Sequence, residues 1–196
     1  MMHADSAVAQ LLPQVYNPGV RADRMTLHRV LAVATLVCGI TFALSMSAKT
    51  VVHLIDAQGK SVGTVILWDQ KGSGVGLQVN VENLPPGEHG IHFHQNPKCD
   101  PPDFKSAGPH FNPDGKKHGF DNPEGHHAGD MSNLMVGADG KSKMNLADKD
   151  VNLGDGPHSL YSNGGTAIII HAKADDLKTD PSGNSGDRIA CGVIQK

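Results

Sequence analysis

The chain has 196 residues and a formal net charge of -3, a length that suits one domain with an appendage. No Lys/Arg-rich block occurs, which excludes a broadly basic nucleic-acid binder. Aromatics make up 4% while Gly numbers 23 and Pro 12, so a core of Val, Ile, Leu and Ala between many turns is expected, as in an all-β chain.

Arg21, Arg24 and Arg29 precede an apolar run at 30–44 (VLAVATLVCGITFAL), and residues 45–48 are small except Met46. Basic residues, an apolar stretch and a small-residue end predict a secretory signal within an N-terminal extension, 1–48. Met25 is an alternative start. The run is shorter than the roughly 20 residues of a membrane-spanning helix, and a retained anchor is the competing reading. Thr35-Leu36-Val37 before Cys38 fits lipid attachment poorly. The domain is then 49–196. Without Arg21, Arg24, Arg29, Asp5 and Asp23, the 17 basic and 20 acidic residues become 14 and 18. Cys99 and Cys191 remain. In an exported domain they can form one disulfide, worth roughly 4 kcal/mol on the chain-entropy model; two free buried thiols are the alternative.

Strand patterns follow in order. Residues 50–55 (TVVHLI) and 61–68 (SVGTVILW) are β-rich, and Val75, Leu77, Val79 and Val81 alternate with Gly76, Gln78 and Asn80. Pro85-Pro86-Gly87 breaks the chain before 90–94 (GIHFH). Residues 95–127 lack periodicity, and a loop of that length needs a function or a clamp. Strands resume at 134–136 and 143–146, with Asp139-Gly140 between them as a hairpin signal. Then come 151–153, 166–171 (TAIIIH), a polar loop at 174–187, and 189–194. About eight short antiparallel strands with two long loops predict a Greek-key sandwich or flattened barrel.

Of 12 His, seven fall between His89 and His127. His92 and His94 at i and i+2 share one strand face and can hold a single metal, although H-x-H alone also fits a half-exposed strand pair. His110, His118, His127 and Asp130 offer three imidazoles and a carboxylate, a tetrahedral set suited to zinc with no vacancy, hence structural. His171 ends the most apolar strand, as a ligand or as a satisfied core-edge residue. With the cysteines committed to a disulfide, the remaining imidazoles suit copper.

Several ordered motifs carry a family resemblance. They are His89-Gly90-Ile91-His92-Phe93-His94, then Ser106-Ala107-Gly108-Pro109-His110-Phe111-Asn112-Pro113, Lys117-His118-Gly119 and His127-Ala128-Gly129-Asp130. His171-Ala172-Lys173-Ala174-Asp175-Asp176 follows, and then 183–194 (GNSGDRIACGVI). Together they resemble copper–zinc superoxide dismutase of the bacterial secreted type across nearly all of 49–196. The resemblance implies copper on His92, His94, His110 and His171, and zinc on His110, His118, His127 and Asp130. His110 would then bridge the two as an imidazolate. It further implies that Asp175 orients one ligand of each metal, that Cys99–Cys191 is the disulfide, and that His89 braces the sheet. His126 adjoins His127, but the H-x-G-D frame favours His127.

The activity so implied is disproportionation of superoxide to O2 and hydrogen peroxide, protecting the cell envelope. His110 and Arg188 would be the catalytic residues, Arg188 and Lys173 drawing in the anion. The expected location is periplasmic or secreted, with membrane contact only through an uncleaved signal segment and a homodimer as the candidate assembly. A copper buffer on the same fold is the rival reading. It does not need Arg188, and the C-x-x-C motif expected of a delivery protein is missing from the sequence.

Overall fold

β-Branched runs separated by Gly, Asp and Pro form the strands of the computed structural model, which describes residues 48–196. The arginine-flanked apolar run, its signal reading and Cys38 lie outside the described residues. The strands are β1 (Lys49–Asp56), β2 (Ser61–Asp69), β3 (Val75–Val81), β4 (Gly87–His89), β5 (Ile91–His94), β6 (Leu134–Val136), β7 (Ser142–Asp148), β8 (Thr166–His171) and β9 (Arg188–Ile194). Among the described residues the only helical pieces are two 3-10 turns, Lys105–Ala107 and Ser162–Gly164. Seven strands form one antiparallel sheet in the order β5-β8-β9-β1-β2-β3-β7, and β4 pairs with β6. The result is the expected all-β Greek-key architecture.

Two layers of packing position the site. Val52, Leu54, Val65, Leu67, Leu77, Val79, Ile91, Phe93, Ile168 and Ile170 fill the inner core. Each such side chain contributes about 1.5–3 kcal/mol when fully buried. Ala167, Ile169 and Cys191 alternate with those residues, so they face the other side of the sheet and pack under Phe104 and Ala107 of the long loop. This accounts for the unbroken burial of β8: the barrel covers one face and the loop covers the other. His92 and His94 share that outer face, opposite Ile169 and Ala167.

Three strand readings change. The turn at Asp139-Gly140 forms, closed by Gly137 N–H donating to Lys141 O at 2.8 Å. However, β6 pairs with β4 and β7 with β3 rather than with each other, so the turn crosses between sheets. Residues 151–153 form only an isolated bridge, Asn152 to Ser159. The Asn152 side chain accepts the Gly154 N–H at 2.8 Å, offering the backbone a local turn instead of a ladder. Finally β4 begins at Gly87, directly after the proline pair that reads as a break.

Candidate metal centre

The long loop returns to lie along both sides of β5. Phe93 N–H donates to Gly129 O at 2.9 Å, and Phe93 O accepts the Phe111 N–H at 2.8 Å. These contacts set His110 beside His94 and Asp130 beside His92. Gly129 is required there, because a Cβ would stand 2.5 Å from Phe93 O. His171 enters from the end of β8, its N–H on Gly90 O.

One nitrogen each from His92, His94, His110 and His171 lies within 4.8 Å of the others. His92 Nδ1 and the Nε2 atoms of His94, His110 and His171 are buried with no hydrogen-bond partner. The other ring nitrogen of three of these residues donates outward: His92 Nε2–H to Asp175 Oδ2 at 2.7 Å, His94 Nδ1–H to Gly108 O at 2.8 Å, and His171 Nδ1–H to Gly186 O at 3.1 Å. Those donations leave lone pairs on the inward nitrogens. Four buried imidazole nitrogens without a hydrogen-bond partner, converging within 4.8 Å of one another, fit a copper ion. Burial, with neighbouring His92, pushes His110 and His171 down to about 3. Burial and then His110 hold His94 well below the imidazole range. The set is therefore neutral and ready to coordinate.

The second set gathers on Asp130 Oδ1. His110 Nδ1 lies 2.9 Å from it, His118 Nδ1 3.0 Å and His127 Nδ1 3.3 Å, with His127 and His110 Nδ1 atoms 3.4 Å apart. Tetrahedral zinc with bonds of 2.0–2.1 Å has edges of about 3.3 Å, so these spacings fit that ion. Asp130 Oδ2 accepts the Gly119 and His127 backbone N–H groups, fixing the carboxylate. Burial alone would raise Asp130, but hydrogen bonds from His110, His118 and His127 hold it far below the usual carboxylate range. Desolvation likewise lowers His118, yet Asp130 and Asp175 overcome it and raise it to about 9.

Asp175 joins the two sets. Its Oδ2 meets His92 and its Oδ1 accepts from His118 Nε2 at 3.0 Å. Gly183, at φ +59, lies so close that a Cβ would fall 1.7 Å from Asp175 Oδ1. Asn133, which the sequence does not single out, clamps the Asp175 backbone reciprocally: Nδ2 donates to Asp175 O at 2.9 Å and Oδ1 accepts the Asp175 N–H at 2.8 Å. An asparagine after a metal-loop motif carries no pattern that would have revealed this.

Arg188 begins β9, its guanidinium donating to Phe104 O at 2.7 Å and Gly108 O at 2.8 Å. With His94, His110, His171, Pro181 and Ser182 it lines a pocket of about 380 Å3. Cys99 and Cys191 are bonded, Cα atoms 5.6 Å apart. His89 sits between His171 O and Pro85 O, 2.7 Å from each, as a brace. His126 turns away from the cluster to Asp150 at 3.0 Å, leaving His127 in the set. Lys173 is exposed, its stem beside Gly186 of the pocket.

A family model described as Copper/zinc superoxide dismutase (SODC) matches residues 61–194. Superoxide dismutase [Cu-Zn] 1 of Aquifex aeolicus is 45% identical over 157 residues, covering 79% of this chain and 92% of that protein. A superoxide dismutase-like protein of Bacillus subtilis is 44% identical over 145 residues, 73% of this chain and 74% of its own length. Among solved structures, a mutant of a SOD-like protein from Bacillus subtilis superposes with a TM-score of 0.74 at 43% identity, over 76% of this chain and all of that one (100%). Cu/Zn superoxide dismutase from Brucella abortus gives a TM-score of 0.62 at 32% identity, over 76% and 100%. Matched along most of its length in sequence and in fold, the chain belongs to the copper/zinc superoxide dismutase family.

Proposed function

We propose that His92, His94, His110 and His171 hold the copper of this enzyme and that His110, His118, His127 and Asp130 hold its zinc. Family membership assigns the activity: two superoxide anions and two protons give O2 and hydrogen peroxide, with copper and zinc as cofactors. The carrying observation for the residue assignment is the row of four unpartnered, buried imidazole nitrogens beside the Asp130 cluster.

Copper supplies one-electron redox chemistry, while zinc supplies a fixed charge without redox change. His110 faces the first set through Nε2 and the second through Nδ1. Its Nε2 can take up a proton and pass it to the peroxide product while Nδ1 stays held. Asp175 keeps His92 and His118 in the tautomers that both sets need. Arg188, steadied by two loop carbonyls, offers its remaining N–H groups to an anion in the pocket. The disulfide ties that loop to the strand carrying Arg188.

The arginine-flanked apolar run and the disulfide support export to the periplasm or beyond, where the enzyme would shield the cell envelope and where thiols stay oxidised. The test is the disproportionation rate of the disulfide-oxidised protein loaded with both metals. A rate near the diffusional ceiling of about 10^9 M-1 s-1, falling with added salt, is expected. Superoxide dismutases are themselves standard examples of both properties. A slow rate with both metals bound would indicate a copper-binding module and overturn the roles given to His110 and Arg188.

A further inference from the structure

The outward nitrogens of the imidazoles follow one rule with one gap. Those of His92, His94, His118 and His171 each have an oxygen acceptor within 2.7–3.1 Å. His127 points Nδ1 at the Asp130 cluster, so as a ligand it carries its proton on Nε2. The oxygen facing that donor is Asp180 Oδ1, at 4.0 Å. Asp180 belongs to the second loop, whereas His110, His118, His127 and Asp130 all belong to the first.

Asp180 is already held in place. Its Oδ1 accepts the His118 backbone N–H at 2.9 Å, and its Oδ2 meets Lys117 Nζ at 3.4 Å. The two loops are zipped together beside it, at Leu177. Asp121 N–H donates to Leu177 O at 2.9 Å, and Gly119 runs so close that a Cβ would lie 2.2 Å from that same oxygen. An oxygen with two lone pairs can accept from both His118 N–H and His127 Nε2–H once the ring moves by about an ångström.

We propose that Asp180 is a positioning residue for the zinc set: its Oδ1 accepts the His127 Nε2–H, fixing that imidazole's tautomer and orientation from the second loop. Asp175 does the same for His92 and His118. Two carboxylates of one loop thus orient ligands borne by the barrel and by the other loop. The inference rests on His118, His127 and Asp130 being zinc ligands.

The experiment uses the full chain, copper-free, with Asp180→Ala and Asp180→Asn variants. Zinc affinity is measured by chelator competition. Cobalt(II) in place of zinc gives hyperfine-shifted imidazole N–H resonances of His118 and His127. Asp180→Ala is expected to weaken zinc about 10- to 100-fold. It should also speed solvent exchange of the His127 N–H while leaving that of His118 unchanged. Asp180→Asn, which keeps an acceptor oxygen, should restore most of both. An unmoved His127 N–H in Asp180→Ala, with or without weaker zinc binding, overturns the proposal and leaves Asp180 a loop cap or a surface residue. Asn behaving like Ala overturns it too. Failure of the unmodified chain to bind zinc or cobalt would instead overturn the ligand assignment.

Discussion

A carboxylate that meets two imidazoles from different metal sets has little room to move, and Gly183 supplies that room. Adding one methyl group there would press on both Asp175 Oδ1 and His118 Nε2, the latter 2.8 Å away. Gly183→Ala is therefore expected to lower affinity for both metals, about 10- to 100-fold, in a chelator competition. Arg188→Ala should leave metal content intact yet slow turnover at low salt roughly tenfold or more, and weaken inhibition by small anions; unchanged kinetics would remove Arg188 from the pocket. The proposed ligands were legible in the sequence as a set only through the family's ordered motifs; His92 and His94 at i and i+2, and His127 and Asp130 in the H-x-G-D frame, are the members that local spacing marks. Asn133 and Asp180 were not legible. Each is tied by a hydrogen bond to a residue 42 or 62 positions away, Asn133 to Asp175 and Asp180 to the His118 backbone, which no local spacing encodes.

Strand β8 shows what periodicity can and cannot say. A run of apolar residues identifies a strand buried on both faces, but it does not name the covers. Here one cover is an irregular loop, held down by Phe104, Ala107 and the disulfide. The bond closes a loop of 92 residues. Its removal by Cys99→Ser with Cys191→Ser is expected to cost about 4–5 kcal/mol in urea unfolding of the metal-free protein. Superoxide turnover should fall as well, since the carbonyls that steady Arg188 lie on the released loop. The hairpin reading at Asp139-Gly140 failed for a related reason: the turn chemistry is local and correct, while partner choice depends on which sheet each flanking strand must complete.

Stability against pH follows from buried histidines acting in opposition. His110 and His171 titrate near 3 in the folded protein but near 6.5 when unfolded, with burial also lowering His92 and His94. Between those values the unfolded chain holds more protons, so metal-free stability falls as pH drops below about 6.5. His118 behaves oppositely: at about 9 when folded, its contribution is complete below 6.5 and is lost as pH rises through 9. Asp148, pushed up to about 7 by burial, opposes the first trend as a single group. Metal-free stability should therefore peak near pH 6.5 in a urea series. A continued rise from pH 7 to 10 would contradict the hydrogen bonds drawn for His118.

The inner core and the metal cluster lie on opposite faces of the same strands. The barrel's ladder can thus stay closed while the two loops lift, and the ions need not wait for global unfolding to enter or leave. Native-state hydrogen exchange of the metal-free protein should resolve two cooperative units, with loop amides such as Gly119 and Asp121 opening at far lower free energy than those of β2 and β3. Loading with zinc should merge the two units. The lifetime of the metal in this enzyme then becomes a property of how tightly one loop is fastened to the other, largely independent of how stable the barrel beneath them is.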